Sequence, residues 1–559
     1  MKITLAQLNQ TVGDIDANTQ RIVNAIEHAR SQGADLVVFP ELAICGYPPR
    51  DLLLIEDFVQ RCAEACKHIG TRHTEGIAMI LGTPLPTEGG TANALVVYQN
   101  GELLGYHDKR LLPTYDVFDE DRYFEPGHEA RVIEIAGEGV GLAICEDLWR
   151  GTDAGFSSKY DDEPDHVAEL ITHGATIIVA PSASPFVLGK DGKHQSILRG
   201  HAKRFDVPVV SVNQVGGNDD LVFAGNSSVI APDGRIIARC GSFAEDLRTI
   251  DLLTAGPIEA QTPDAERQVI DALTLGIRDY VRKCGFTRVC IGLSGGIDSA
   301  IVATLAVRAL GPSNVVGASM PGVFSSEGSK TDAFGLAENL GITCISLPIA
   351  DGFDAVSGTL NDGFGAINQP ALGASLPDIT QENLQSRIRG TMMMALSNRT
   401  GALVLTTGNK SELAVGYCTL YGDMNGGLAV IADLPKTMVF RACRYLNEHF
   451  SDLGYPCAPI PESTITKPPS AELAPGQLDS DSLPPYKVLD EIVERHIEKL
   501  QSAATIIEQT GFEEDTVSRI CRLIDRNEYK RQQMAVGIKV TSIAFGTGRR
   551  MPIAQRWTR

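Results

Sequence analysis

Two groups of residues in this sequence have types and spacings that could do chemistry. The first is the run Ile291-Gly-Leu-Ser-Gly-Gly-Ile-Asp-Ser-Ala300. The apolar stretch 289–293 predicts a short buried strand, 297–310 predicts a helix, and Ser294, Gly295 and Gly296 make the tight turn between them. A strand, a glycine turn and a helix N-terminus form an anion site. Free backbone N–H groups converge there, and the helix dipole favours negative charge. No Gly-Lys-Ser/Thr follows, so this is not a Walker A loop. Gly292, Leu293, Ser294, Gly295, Gly296, Ile297, Asp298 and Ser299 are therefore candidates to hold phosphate groups. The Asp298 carboxylate suits a hard cation such as Mg²⁺ beside them. An ordinary glycine turn before a helix is the plainer alternative.

The second group is spread over the first 150 positions. Glu41 ends the strand-like run Leu36-Val-Val-Phe-Pro-Glu41, Lys109 follows Tyr106-His-Asp, and Cys145 ends Gly141-Leu-Ala-Ile-Cys145. In open α/β sheets, sites assemble at the carboxyl ends of strands. A thiolate attacks a carbonyl well, a lysine beside it can stabilise an oxyanion, and a glutamate can carry the proton. Taken singly, Cys145 reads as a core thiol, Glu41 as a satisfied strand-end carboxylate and Lys109 as a surface charge.

The elements that must position these residues follow from hydrophobic periodicity. Stretches 3–8, 36–39, 79–82, 141–144, 177–180 and 209–212 predict short buried strands; 17–32, 58–73, 166–173 and 193–205 predict amphipathic helices. Asn100-Gly101 and Asp233-Gly234 predict hairpin turns. Residues 1–250 thus read as a layered α/β domain. Residues 251–263 hold Gly256, Pro257 and Pro263 without periodicity and read as a linker. In 264–559, strands at 289–293, 315–320, 343–347 and 403–406 alternate with helices, which predicts a doubly wound parallel sheet. The Pro-, Ser- and Asp-rich stretch 456–485 reads as a mobile loop.

Bulk properties narrow the class. At 559 residues, two large domains are the default. A net charge of −21 argues against a non-specific nucleic-acid binder. The start Met-Lys-Ile-Thr-Leu-Ala-Gln-Leu has no signal-peptide core, and no run approaches membrane-spanning length. The twelve cysteines form no C-x-x-C pair, and reduced thiols in a cytoplasmic protein are the simplest account.

The order S-G-G-x-D-S resembles the pyrophosphate loop of the ATP pyrophosphatases. The segments F-P-E-L-A-I-C-G-Y-P, H-D-K-R-L-L-P and A-I-C-E-D-L-W resemble the nitrilase, or carbon–nitrogen hydrolase, superfamily. That resemblance implies an αββα sandwich over roughly the first 250 residues. It further implies that Glu41 is the general base, Lys109 the oxyanion stabiliser and Cys145 the nucleophile, with Glu120 a candidate second glutamate. Tyr115, Ser184 and Lys190 lie in matching segments and suit an ammonium–carboxylate ligand such as glutamine.

A cysteine amidase joined to an AMP-transferring ligase resembles the glutamine-dependent NAD synthetase family over the whole chain. The resemblance implies glutamine, ATP and deamido-NAD as substrates, Mg²⁺ as cofactor, and pairing through the synthetase domain into a homo-oligomer. It implies that Thr407 and Lys436 contact ATP, that Asn383, Glu412 and Lys530 contact deamido-NAD, and that Glu412 shares Mg²⁺ with Asp298. Taken alone, Glu412 reads as a helix-surface charge and Lys530–Arg531 as a solvated basic turn. Two departures stand out: Gly322-Val323-Phe324 where the family often carries an arginine, and Gln533-Met-Ala-Val-Gly537 where it is usually proline-rich. Rivals are another amidotransferase with the same loop, such as a GMP or asparagine synthetase type, and a nitrogen sensor with a dead ligase domain. The Glu-Lys-Cys set argues against the first, and intact Ser294, Asp298, Thr407 and Glu412 against the second.

Overall fold

The computed structural model describes residues 1–149, 160, 163–259, 262–373 and 378–557. The chain divides into two compact units, Met1–Pro263 and Asp264–Arg559. Of the expected linker 251–263, residues 260 and 261 lie outside the described residues.

The first unit stacks two six-stranded sheets. One runs in the order Asp246–Asp251, Lys2–Gln7, Leu36–Val38, Ala78–Pro86, Thr91–Gln99, Glu102–Asp108. The other runs Ile236–Arg239, Ser228–Ile230, Val209–Asn213, Ile177–Ser182, Glu138–Leu142, Val132–Ile135. Alternate residues of both sheets meet in a dry layer: Ile3, Leu5, Val38 and Ile80 from the first, Val140, Leu142, Val179 and Val210 from the second. The opposite faces carry helices. Ile22, Ile26, Cys62 and Ile69 of helices Ile15–Ser31 and Phe58–His73 cover the first sheet. Val167, Leu170, Leu198 and Ala202 cover the second. This is the αββα sandwich expected.

Both hairpins form where the Asn-Gly and Asp-Gly signals place them. The edge strand Asp246–Asp251 falls where periodicity gave no element. It pairs antiparallel with Lys2–Gln7, so its partner lies some 245 positions away, as in the 2.7 Å contact of Thr4 and Thr249 hydroxyls. Nonlocal pairing of this kind leaves little local signature.

The second unit holds one parallel sheet, in the order Thr343–Ser346, Val315–Ser319, Val289–Gly292, Leu403–Thr406, Leu428–Ala429, Val536–Gly537. The order reverses between Val289–Gly292 and Leu403–Thr406. In a doubly wound sheet, loops leaving adjacent strands there diverge and open a crevice. The Ser294 loop leaves one of these strands and the Thr407 loop the other, so topology places both at one crevice. The last two strands are only two residues long, below what periodicity detects.

Candidate functional site

Glu41, Lys109 and Cys145 all follow strands of the first unit. Glu41 and Lys109 are each 1% exposed, so Lys109 is not a surface charge. Its ammonium donates to Glu41 Oε1 at 2.7 Å and to Glu120 Oε1 and Oε2 at 2.9 and 2.7 Å. Glu41 also accepts from Asn93 Nδ2 at 2.7 Å and from the Ala183 N–H at 2.9 Å. The Tyr47 hydroxyl donates to Glu120 at 2.8 Å. Burial works against the Lys109 charge. Glu120 and Glu41 together outweigh it and hold the ammonium well above the usual lysine range. Burial raises the Glu120 carboxyl above the ordinary range, with Lys109 opposing and Glu41 adding.

Cys145 opens the 3₁₀ turn Cys145–Leu148 with φ +42°. A side chain in the left-handed region costs on the order of 1–3 kcal/mol, and such strain concentrates where a group must be presented. Burial pushes the thiol up, Glu41 pushes it further, and Lys109 opposes. Burial and Glu41 thus favour the thiol over the thiolate. Nucleophilic attack therefore requires proton transfer to a neighbour, and Glu41 has acceptor capacity left on Oε2.

Around this centre lie the residues expected to hold an amino acid. Lys190 Nζ donates to Ser184 Oγ at 3.1 Å, and Ser184 adjoins the Ala183 N–H that binds Glu41. The Tyr115 hydroxyl donates to Glu146 at 3.0 Å, as does that of Tyr160. Sequence reasoning missed Glu146 and Tyr160. The signal for Glu146 was its place directly after Cys145. Burial raises the Glu146 carboxyl, while Lys109 and the two tyrosines oppose.

His107, Asp147 and His166 form a compact buried group of metal-type ligands. Their hydrogen bonds do not suit a metal. His166 Nε2 bonds the Leu142 carbonyl at 2.8 Å, and Arg110 Nη1 lies 3.2 Å from its Nδ1. A guanidinium already supplies the positive charge there.

In the second unit, a cavity of about 420 Å³ opens at the sheet's reversal point. It is lined by Gly292, Leu293, Ser294, Gly296, Ile297, Asp298 and Ser299, and by Thr407, Lys436, Asn383, Glu412 and Lys530. Of the expected residues only Gly295 does not line it. Gly295 has φ +76°, and a Cβ there would meet the Ser329 carbonyl oxygen at 2.1 Å. It shapes the loop instead. Gly296 caps helix Ile297–Leu310 without a side-chain bond, which leaves first-turn N–H groups for a ligand.

Lys436 Nζ joins the carboxylates, at 2.5 Å from Asp298 Oδ2 and 2.9 Å from Glu412 Oε1. Asn409 Nδ2 donates to Asp298 Oδ1 at 3.0 Å. Lys530 Nζ donates to the Gly416 and Cys418 carbonyls at 2.7 and 2.8 Å. The stretch read as a mobile loop is pinned across the cavity. Glu472 accepts from the Ser326 and Ser329 hydroxyls at 2.8 Å, and Lys467 reaches Asp332 at 2.8 Å. At the first departure from the family pattern, Arg389 takes the space beside Gly322, with Nε donating to the Met320 carbonyl at 3.0 Å.

Residues 2–256 match the carbon-nitrogen hydrolase family, and residues 269–534 match the NAD synthase family. The glutamine-dependent NAD(+) synthetase of Synechocystis sp. is 46% identical over 566 residues, spanning 99% of this chain and 98% of that protein. The chain belongs to the glutamine-dependent NAD(+) synthetase family. The Thermotoga maritima member is 41% identical, spanning 100% of this chain and 99% of its own length. A solved glutamine-dependent NAD+ synthetase from Acinetobacter baumannii, in complex with adenosine diphosphate, aligns with a TM-score of 0.76 at 39% identity, covering 99% of this chain and 98% of that one. Like the family's two named parts, the two site clusters fall one in each unit. No helix among the described residues is long and apolar enough to cross a membrane.

Proposed function

We propose that the chain makes NAD from deamido-NAD, ATP and glutamine, with Glu41, Lys109 and Cys145 releasing ammonia and the cavity residues activating the acceptor carboxylate. The observation that carries this reading is the conjunction in one chain of a Glu-Lys-Cys centre, its glutamate and lysine buried and its thiol half-buried, and a pyrophosphate loop facing a cavity with Asp298 and Glu412.

In the first reaction, Cys145 Sγ attacks the glutamine amide carbon while Glu41 takes the thiol proton. Lys109, charged throughout, stabilises the oxyanion. Glu41 returns the proton to the leaving ammonia, and water then hydrolyses the thioester to give glutamate. Tyr115, Ser184 and Lys190 hold the amino-acid end. Lys190 supplies a cation for the carboxylate and Glu146 an anion for the ammonium.

In the second, the nicotinate carboxylate of deamido-NAD attacks the α-phosphorus of ATP. Pyrophosphate leaves into the backbone N–H groups of 294–299, near Thr407 and Lys436. Asn383 and Lys530 orient the dinucleotide. Ammonia attacks the resulting acyl adenylate and expels AMP. Asp298 and Glu412 present carboxylate oxygens to the cavity, the hard donors Mg²⁺ prefers, and we assign them to it. When bound, Mg²⁺ would neutralise charge on the phosphate oxygens.

We further propose a reducing, cytoplasmic setting, because none of the twelve cysteines is held in a disulfide and the mechanism needs Cys145 as a thiol. We propose that the synthetase unit pairs with a second copy. Helix Ala350–Ala366 buries none of its residues, yet Phe353, Val356, Leu360 and Phe364 form one apolar stripe.

The test is AMP release with purified protein. It should require deamido-NAD and ATP, and either glutamine or ammonium. Equal release with xanthosine monophosphate or aspartate as acceptor would refute the reading.

A further inference from the structure

Asp147 takes no part in the steps above, yet its carboxylate is fully engaged and 0% exposed. Oδ1 accepts from the backbone N–H groups of Arg110 and Leu111, each at 3.0 Å. Oδ2 accepts from the Ile144 N–H at 2.9 Å and faces His107 Nε2 at 3.2 Å. A carboxylate only accepts, so His107 donates from Nε2. The positions matter more than the number of bonds. Arg110 and Leu111 directly follow Lys109, His107 precedes it by two, and Ile144 directly precedes Cys145.

Lys109 is also fixed by its own backbone, N–H to the Asn93 carbonyl and carbonyl to the Gly127 N–H, both at 2.8 Å. One buried carboxylate thus ties the strand end carrying the lysine to the turn carrying the thiol. The turn needs such a tie because Cys145 sits in the left-handed region. The Asp147 N–H donates back to the Ile144 carbonyl at 2.9 Å, closing a reciprocal pair across Cys145. Burial alone would raise the Asp147 carboxyl. The His107 hydrogen bond, the neighbouring imidazoles and the Leu111 N–H together hold it well below the usual range. The His107 ring is held from behind by stacking on His166, with centroids 4.9 Å apart.

We propose that Asp147, oriented by His107, is a positioning residue of the amidase centre that sets where Cys145 Sγ stands relative to Lys109 Nζ. This rests on the reading of Glu41, Lys109 and Cys145 as that centre. Asp147 acts through the two backbone segments and touches no reacting atom.

The test uses the full-length chain with Asp147→Asn, His107→Ala and His107→Gln. One readout is glutaminase kinetics. The other is the rate at which iodoacetamide alkylates Cys145, read by mass spectrometry of its peptide. Asparagine places an NH₂ group against two N–H donors, so the bracket opens. In Asp147→Asn, kcat should fall about 100-fold, the scale of an ångström of misplacement, with KM for glutamine changed less than about threefold. Alkylation of Cys145 should slow with it. His107→Ala should lose about tenfold in kcat, and His107→Gln, which keeps a donor at similar reach, should recover most of it.

If Asp147→Asn fails to fold, the two His107 variants decide, because they leave the carboxylate and backbone in place. Unchanged kcat in His107→Ala, a loss carried wholly by KM, or a His107→Gln variant no faster than His107→Ala would overturn the proposal. A wild-type chain that releases no glutamate would instead refute the amidase reading, and the alkylation rates would still judge the bracket.

Discussion

Lys436 Nζ stands 2.5 Å from Asp298 Oδ2, linking a helix start to a residue 138 positions earlier in the pyrophosphate loop. The same ammonium lies 2.9 Å from Glu412. One buried lysine thus balances the two carboxylates assigned to Mg²⁺. Burial raises the Glu412 carboxyl, Lys436 opposes, and Asp298 adds to the rise. Removing that cation should be costly to catalysis. Lys436→Met should lower AMP release at least about 100-fold with either nitrogen source, the scale of a lost electrostatic donor. A coupled AMP assay near wild-type rate would remove Lys436 from the nucleotide site.

Cys145→Ala separates the two chemistries. The variant should lose NAD synthesis from glutamine and keep synthesis from ammonium within about twofold, because no cavity residue of the second unit changes. NAD formation followed with each nitrogen source checks this. Loss of both activities in a folded protein would show that the units are not separate centres.

Lys109→Met leaves Glu41 and Glu120 buried without their cation. Breaking a buried ion pair from one side costs about 3–5 kcal/mol. The Glu120 carboxyl already lies above its ordinary range in the intact centre. A raised carboxyl contributes stability below its unfolded value and loses it as pH rises through its folded value. The deficit of the variant should therefore deepen between about pH 5 and about pH 8. Thermal unfolding against pH reads this directly, and a deficit that shrinks with rising pH would contradict the charge assignment.

Gly295→Ala places a methyl 2.1 Å from the Ser329 carbonyl and asks alanine to adopt φ +76°. Backbone must shift, so the pyrophosphate loop should open. Ammonium-driven NAD synthesis should fall by at least about 100-fold, a shift of an ångström at this loop. Unaltered KM for ATP together with unaltered kcat would show the loop to be more plastic than its packing implies.

Val356→Asp puts a charge at the exposed member of the half-buried apolar stripe of helix Ala350–Ala366. If that stripe faces a second copy, the wild type should sediment as at least a dimer and the variant as a smaller species. Identical sedimentation of the two would place the pairing surface elsewhere.

Much of this was legible because local signals and chemistry coincided. Asn100-Gly101 could only be a hairpin turn, and its second strand delivers Lys109. The S-G-G-x-D-S order carried strand, turn and helix in ten letters. What stayed hidden was nonlocal. The strand Asp246–Asp251 exists through its partner at the other end of the unit. The stretch 456–485 looks like a loop because proline, serine and aspartate favour turns, yet Glu472 and Lys467 anchor it through residues more than 130 positions away. Asp147 was in plain view beside Cys145. Its meaning depended on the backbone of Arg110 and Leu111, which no side-chain pattern announces.

The division after Pro263 has a consequence for supply. Each unit has its own apolar core, so two separately encoded proteins could have carried the two chemistries. As one polypeptide they are translated together. Every copy that consumes ammonia comes with one that generates it, whatever the level of expression.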